Sequence, residues 1–487
     1  MQELLTVSAS ELARRIRAGR SSSAEVVEAH IARIQEVNPR LNAVVAERFD
    51  AARAEARAAD RRLAAEGPER APPLLGVPFT IKENFSTPGL PWTSGLLARQ
   101  GLTPARDAPV VARLRAAGAI PLGVTNVSEL CMWMEAHNRV YGVTRNPYDP
   151  SRIVGGSSGG EGAIVGAGGA PFGVGSDIGG SLRMPAFFNG VFTHKASGGL
   201  VPNTGQFPLA HGPVLRMLTT GPLCRRAEDL MPLLRIMAGP DGEDGGCVPF
   251  ALGEPAAVQA RGLRVLDLRA VRLGGAERAL LEAQGRAADA LGALGAAVER
   301  VELEALGGPR SQLEALSLWA ARLHFEDGTS YKSLLADRQG RAEVNAWAEL
   351  LKLLVGRSAH TLPSVLLGLL EDLTRPTEGL LRPALGQGRR LRAALAERLG
   401  RDGVLLFPSH PRVAPRHRAP LLRPFAWVYT ALWNALELPV TQVPLGLDRR
   451  GLPLGVQVVG GPGQDHLTVA VALWLERALG GWVPPPA

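Results

Sequence analysis

The chain has 487 residues, 46% hydrophobic and 21% charged, which places it among globular proteins able to bury a sizeable core and excludes disordered and fibrous classes. A formal net charge of +8 would suit a nucleic-acid binder if it were concentrated, but the arginines are scattered beside acids, as with Arg14, Arg15, Arg17 and Arg20 around Glu11 and Glu25, so no nucleic-acid partner is expected. Three cysteines, Cys131, Cys224 and Cys247, form no CxxC pair, which points to reduced thiols in a cytoplasmic protein with no metal framework and no cofactor.

The opening MQELLTVSASELARRI lacks the apolar core of a signal peptide, and no apolar run reaches the ~18 residues of a membrane span. Ser8 or Ser10 can cap a first helix running through Ala18. A second follows, with Ser23 as its cap, Val26, Val27, Ile31 and Ile34 as its buried stripe, and Pro39 as its end. An Arg- and Ala-rich third helix covers 48–65, completing an N-terminal helical region over 1–70.

Leu75 to Ile81 is a continuous apolar run of strand type, and Lys82 follows at its end. On spacing alone, Lys82 reads as an exposed loop lysine paired with Glu83. Residues 108–118 are helical in pattern, 120–124 strand-like, and Thr125-Asn126-Val127-Ser128-Glu129-Leu130 opens the next segment. Met132, Trp133 and Met134 then read as core packing on their own, or as an apolar pocket lining if the loop before them is catalytic.

The stretch Gly155 to Pro185 (GGSSGGEGAIVGAGGAPFGVGSDIGGSLRMP) dominates the sequence. So many residues without a Cβ let backbone amides approach a ligand. A flexible linker would not carry Ile164, Phe172, Asp177 and Arg183, and no Gly-Lys-Ser/Thr closes a phosphate loop. Ser181 is the best nucleophile, because Ile178, Gly179 and Gly180 before it can turn successive N–H groups toward one point. Gly155-Gly156-Ser157-Ser158-Gly159 also fits a G-x-S-x-G nucleophile elbow, with His410, His417 and His466 far downstream as candidate bases. That alternative leaves Lys82 and the Asp-Ile-Gly-Gly-Ser segment without a role.

Further on, strand-like 263–268, helical 276–294 and strand-like 298–303 alternate as in an α/β fold. Residues 307–400, with Trp319, Phe325, Tyr331, Trp347 and the runs LLKLLVG and LPSVLLGLL, read as an apolar helical insertion. It is expected to be a cap packed on the core, with a membrane-contacting surface as the other reading. Residues 401–487 return to α/β pattern, so 1–487 reads as one domain, its chemistry within 75–240.

The glycine stretch resembles the amidase signature enzymes, GVPFTIKEN and TNVSEL match further segments of that family, and the resemblance covers nearly the whole chain. SELCMW, SDIGGSLRMPAFFNG, PNTGQFP, LFPSHPRVAP, LPVTQVPLGL and GLPLGVQVVGGPGQDHLT are similar to the fatty-acid amide hydrolase branch of that family, in its second vertebrate type. The resemblance implies a large mixed β-sheet sandwiched by helices, with a helical cap. It also implies a Ser-Ser-Lys triad of Ser181 as nucleophile, Ser157 as the serine after a cis peptide that relays protons, and Lys82 as base. Ser181 stands 24 positions after Ser157, the family's spacing.

On this resemblance, the backbone of Ile178, Gly179, Gly180 and Ser181 forms the oxyanion hole, Asp177 and Arg183 pair to shape it, and Met132, Trp133 and Met134 line an acyl pocket. Lys82 must then be neutral. Bringing a lysine from an ordinary ~10.4 to near neutrality disfavours its charge by ~4 kcal/mol, which burial can supply and a carboxylate partner would oppose. The expected substrate is a small hydrophobic acyl amide. Peripheral membrane contact and a homodimer are left open. The alternative is a glutamine amidase component of a tRNA-dependent amidotransferase, which would want small and polar residues where Met132 to Met134 stand.

Overall fold

The computed structural model describes residues 2–269, 274–337, 343–374 and 378–486, so parts of the 307–400 section lie outside the described residues. Thirteen strands occur in chain order: β1 (Val44–Glu47), β2 (Pro78–Lys82), β3 (Ile120–Thr125), β4 (His137–Asn138), β5 (Gly142–Val143), β6 (Phe172–Asp177), β7 (Phe192–Lys195), β8 (Thr219–Cys224), β9 (Arg264–Arg269), β10 (Ala297–Glu302), β11 (Gly403–Phe407), β12 (Val440–Leu447) and β13 (Pro453–Gly460). Strands β4 and β5 form a small ribbon. The other eleven form one sheet in the order β1-β3-β2-β6-β8-β7-β12-β13-β11-β9-β10. It is mixed: β2 runs parallel to β3 and β6, and β9 to β10 and β11, with antiparallel pairs between these groups. The large mixed sheet and α/β class expected from the sequence are both present.

Strands β2, β3 and β6 are buried along their whole length, as their nearly unbroken apolar runs require of parallel strands covered on both faces. Phe79 and Phe172 stack across β2 and β6 with ring centroids 5.2 Å apart and planes 3° off parallel. Burying each such ring contributes about 1.5–3 kcal/mol. The three strands end side by side at Lys82, Thr125 and Asp177, and the C-terminal edge of parallel strands is where open α/β sheets bind ligands.

The N-terminal helices follow the sequence with two corrections. Ser8 caps Ala9–Arg17, its hydroxyl accepting from Glu11 N at 2.9 Å. The second helix is Ser23–Leu41, and its cap is Ser22 rather than Ser23: Ser22 Oγ accepts Glu25 N, and the Glu25 carboxylate accepts Ser22 N at 2.7 Å. Ser23 is buried instead, donating its hydroxyl to Gly76 O at 3.0 Å. Pro39 lies inside the last turn and does not end the helix. Beside it, Asn38 ties down the chain leaving the helix from its side chain, which accepts Ala43 N and Val44 N at 2.8 and 2.9 Å. Asn42 then turns the chain in the left-handed region (φ 53°) into β1, an edge strand the apolar pattern does not announce.

Residues 312–399 are helical in Gln312–Arg322, Tyr331–Ala336, Ala346–Leu354, Leu362–Thr374 and Glu378–Leu399. Ala346, Val365 and Leu369 pack between the third and fourth of these helices. Their other faces stay open: Trp347 is 60% exposed, Leu351 66% and Leu354 79%, with Leu362, Leu366 and Leu370 exposed at helical spacing opposite. Among the described residues no helix is long and apolar enough to cross a membrane.

Candidate active site

Lys82 ends β2, so its side chain leaves the sheet toward the end of the parallel strand β6, near the loop that follows it. It is not the exposed loop lysine that spacing alone suggested. Its exposure is 0%, and Glu83 turns away from it. The Glu83 carboxylate accepts from Thr93 N, Thr93 Oγ1, Ser94 N and Tyr141 Oη at 2.6–2.8 Å, and no carboxylate forms an ion pair with Lys82 among the described residues. Burial pushes the Lys82 ammonium below the ordinary lysine value, outweighing the raising influence of Cys131, Asp177 and Glu161.

Lys82 Nζ lies 2.8 Å from Ser157 Oγ and 2.9 Å from Ser176 Oγ. Ser157 follows a cis peptide from Gly156 and starts the turn into the helix Gly159–Gly166. Gly156 has no room for a Cβ, because the Trp133 carbonyl occupies that position. Ser158 N donates to Ser181 O at 3.2 Å, so the two serine segments are tied by their backbones. Exposure rises along the series, from 0% at Lys82 to 1% at Ser157 and 8% at Ser181, which puts Ser181 on the open side. Among the described residues Ser157 bonds to a lysine and to no histidine. His410 bonds to the Arg412 backbone, His417 to Glu135, and the His466 ring lies against Gly253, so the nucleophile-elbow reading loses its base.

The loop Ile178–Leu182 is shaped from below. Arg183 donates Nε to Asp177 Oδ2 at 2.9 Å and Nη2 to Oδ1 at 3.0 Å, both side chains fully buried. Thr430 O, Gln457 and Asn434 take the remaining guanidinium donors. Although burial pushes the Asp177 carboxyl up, the Arg183 guanidinium holds it below the usual carboxylate range. Asp177 accepts Gly180 N at 2.6 Å and Leu182 N at 3.1 Å. This corrects one expectation: the Gly180 N–H is occupied and cannot serve an oxyanion. The Gly179 and Ser181 N–H groups have no partner among the described residues. Gly180 itself has φ +121°, and a Cβ there would overlap the Thr430 hydroxyl.

Above this loop, Trp319 donates Nε1 to Ile178 O at 2.6 Å and stacks edge-on against Trp427 with centroids 4.8 Å apart. Met132 packs in that apolar group with Ile178, Leu323 and Trp427. Trp133 sits against the main core. Met134 does not join the Met132 group; it is buried in the core and lines a separate cavity beside Phe188 and His410. The chain enters this segment through two successive residues at positive φ, Leu130 and Cys131 (52° and 58°).

Three neighbours of Lys82 carry no signal in the sequence. Ser176 is one. The Cys131 thiol is another, held close to Lys82 and Ser157, with burial pushing it up. The third is Glu161, fully buried, its carboxyl accepting from Thr80 Oγ1 at 2.6 Å and Thr125 Oγ1 at 2.8 Å. Burial raises it to about 8. Gly173 is required beside it, since a Cβ there would overlap the carboxyl.

A family model described as Amidase matches residues 25–469. The chain belongs to the amidase family. It is 48% identical, over 501 aligned positions, to fatty-acid amide hydrolase 2-B of Danio rerio, covering 99% of this chain and 91% of that one. It is 35% identical to a glutamyl-tRNA(Gln) amidotransferase component from Anaeromyxobacter sp. (strain K), covering 96% and 94%. The solved structure of 6-aminohexanoate cyclic dimer hydrolase with its substrate overlays with a TM-score of 0.82 at 27% identity, covering 99% of each chain. This amidase is thus a hydrolase acting on amide bonds.

Glu161 allows a test of the buried site. A carboxyl raised from 4.5 to about 8 holds its proton when folded and has lost it when unfolded, so its contribution to stability falls as pH rises through that window. Glu161→Gln carries no such proton. Its melting temperature should therefore gain on wild type as pH goes from 4.5 to about 8; a difference independent of pH would refute the raised carboxyl.

Proposed function

We propose that this amidase hydrolyses hydrophobic acyl amides through Lys82, Ser157 and Ser181. The observation that carries the reading is the 2.8 Å contact between a buried, unpaired Lys82 and Ser157. With Lys82 neutral, the Ser157 O–H donates to the amine lone pair. Ser181 Oγ attacks the amide carbonyl carbon; its proton passes to Ser157 Oγ while the Ser157 proton passes to Lys82 Nζ. The oxyanion forms between the N–H groups of Ile178, Gly179 and Ser181, two of which are left free by the loop. Collapse breaks the C–N bond, and the amine leaves with the proton returned from Lys82 through Ser157. Water then attacks the acyl-Ser181 ester by the same route, releasing the carboxylic acid.

The hydrophobic acyl group is supported by Met132, Ile178, Trp319 and Trp427 around the loop, and by the helical section acting as a cap that reaches it through Trp319. The relative at 48% identity is named for fatty-acid amides. The exposed face of Trp347, Leu351, Leu354 and Val355, with Lys352 and Arg357 beside it, supports a lipid surface as the place where such amides are met.

Ser181→Ala should abolish turnover and labelling by a fluorophosphonate, and Lys82→Ala should slow both by several decades with the fold retained. A mass spectrum placing the adduct on Ser157 would contradict the assignment.

A series of primary amides of rising chain length tests the substrate. Each buried methylene contributes ~0.8 kcal/mol, so kcat/KM should rise up to about fourfold per carbon until the pocket fills. Adding lipid vesicles should raise the rate for long chains only. Glutamine, with charged ends stranded in an apolar pocket, should be poor. Glutamine turned over as well as a medium-chain amide would favour the amidotransferase-type reading.

A further inference from the structure

A second cavity, of about 280 Å³, lies behind the Ser157 loop. Met134 lines it, and the Met134 main chain abuts Gly156 from that side. Its floor is apolar, built from Met134, Ile153, Phe188 and Val413, all buried. Its wall is basic: Arg152, Arg412, Arg416, Arg423 and Arg450 line it against one carboxylate, Glu277. Arg152 is matched by Asp149 at 2.9 Å, and Arg450 by Asp448 at 2.8 Å. Glu277 is shared between Arg450 at 3.3 Å and Arg412 at 3.7 Å. Arg416 and Arg423 have no acidic partner among the described residues.

The positive field reaches the floor. His410 packs edge-on against Phe188 with centroids 5.1 Å apart. Burial holds its imidazole down at about 4 against the raising influence of the Arg412 carbonyl, and the Arg412 and Arg423 guanidiniums add a smaller lowering influence. The backbone at the base of the cavity is tied across its two segments, because Ile153 N donates to Pro415 O at 3.0 Å and Arg152 Nη1 to Ala414 O at 2.6 Å, while Arg416 and Arg423 reach it from exposed positions. An apolar floor under unmatched guanidiniums suits a molecule with a short apolar body and one anionic head.

We propose that this cavity binds the carboxylate of an amphiphilic acid between Arg416 and Arg423, with its tail on Ile153, Phe188 and Val413. The identification of that acid with the amidase's own released product rests on the hydrophobic-acyl reading above; the binding chemistry does not. Calorimetric titration with octanoate is the test. The wild-type enzyme should bind octanoate, and the Arg416→Glu/Arg423→Glu variant should lose one equivalent, or bind it at least tenfold more weakly. The Arg416→Lys/Arg423→Lys variant, folded by circular dichroism, should keep that equivalent. Octanol and inorganic phosphate, which supply tail alone and head alone, should each bind at least tenfold more weakly than octanoate. An octanoate stoichiometry and affinity unchanged by charge reversal would overturn the proposal, as would phosphate binding more tightly than octanoate. Hydrolysis of the chain-length series by the same preparations reads the substrate separately. Octanoate binding with a preference for short acyl amides would keep the site and discard its link to the product.

Discussion

Lys82 is an amine sealed from water without a carboxylate to pair with, and the rest of the site is arranged around keeping it so. Placed at the end of a strand buried on both faces, its side chain meets hydroxyls from Ser157 and Ser176 instead of an acid. The nearest acid in sequence, Glu83, is drawn away by two backbone N–H groups and two hydroxyls. Glu161, the buried acid below, is itself raised by burial, so it does not fix a full negative charge beneath the amine. A single well-placed carboxylate would restore the ordinary lysine and remove its capacity to accept a proton.

A second buried arrangement complements the first. Asp177 and Arg183 are a fully desolvated pair whose remaining donors and acceptors are all used, by Thr430, Gln457, Asn434 and the loop's own N–H groups. Breaking such a pair by removing one partner costs about 3–5 kcal/mol, because it strands the other charge. The pair spends the Gly180 N–H on loop shape, and that leaves Gly179 and Ser181 directed elsewhere. The Ile178 carbonyl is held from the opposite side by Trp319, so one loop joins the sheet edge to the helical section.

The parts of the site that depend on local pattern were legible in the sequence. The run ending at Lys82 and the glycine stretch to Ser181 located both chain segments, and the family resemblance assigned roles that spacing alone did not. What was not legible depends on where the chain goes in three dimensions. Pro39 is accommodated in the last turn of the second helix, where the pattern read it as the end. The Gly180 N–H is lost to Asp177, a contact invisible in spacing. Met132 and Met134, two residues apart, pack in different apolar groups. Glu161 and Cys131 reach Lys82 only through strand register and loop path, and the arginines of the second cavity gather from separate segments of the chain.

The most direct test is the pH dependence of kcat/KM on an amide for which chemistry limits the rate. On the proposed mechanism, because burial depresses Lys82, its proton-accepting neutral form grows in as pH rises through a value below the ordinary lysine's 10.5. The account predicts a single rising limb in that lower range, lost in Lys82→Ala. A profile flat from acid to alkaline pH, or one rising only near the value of a free lysine, would contradict it.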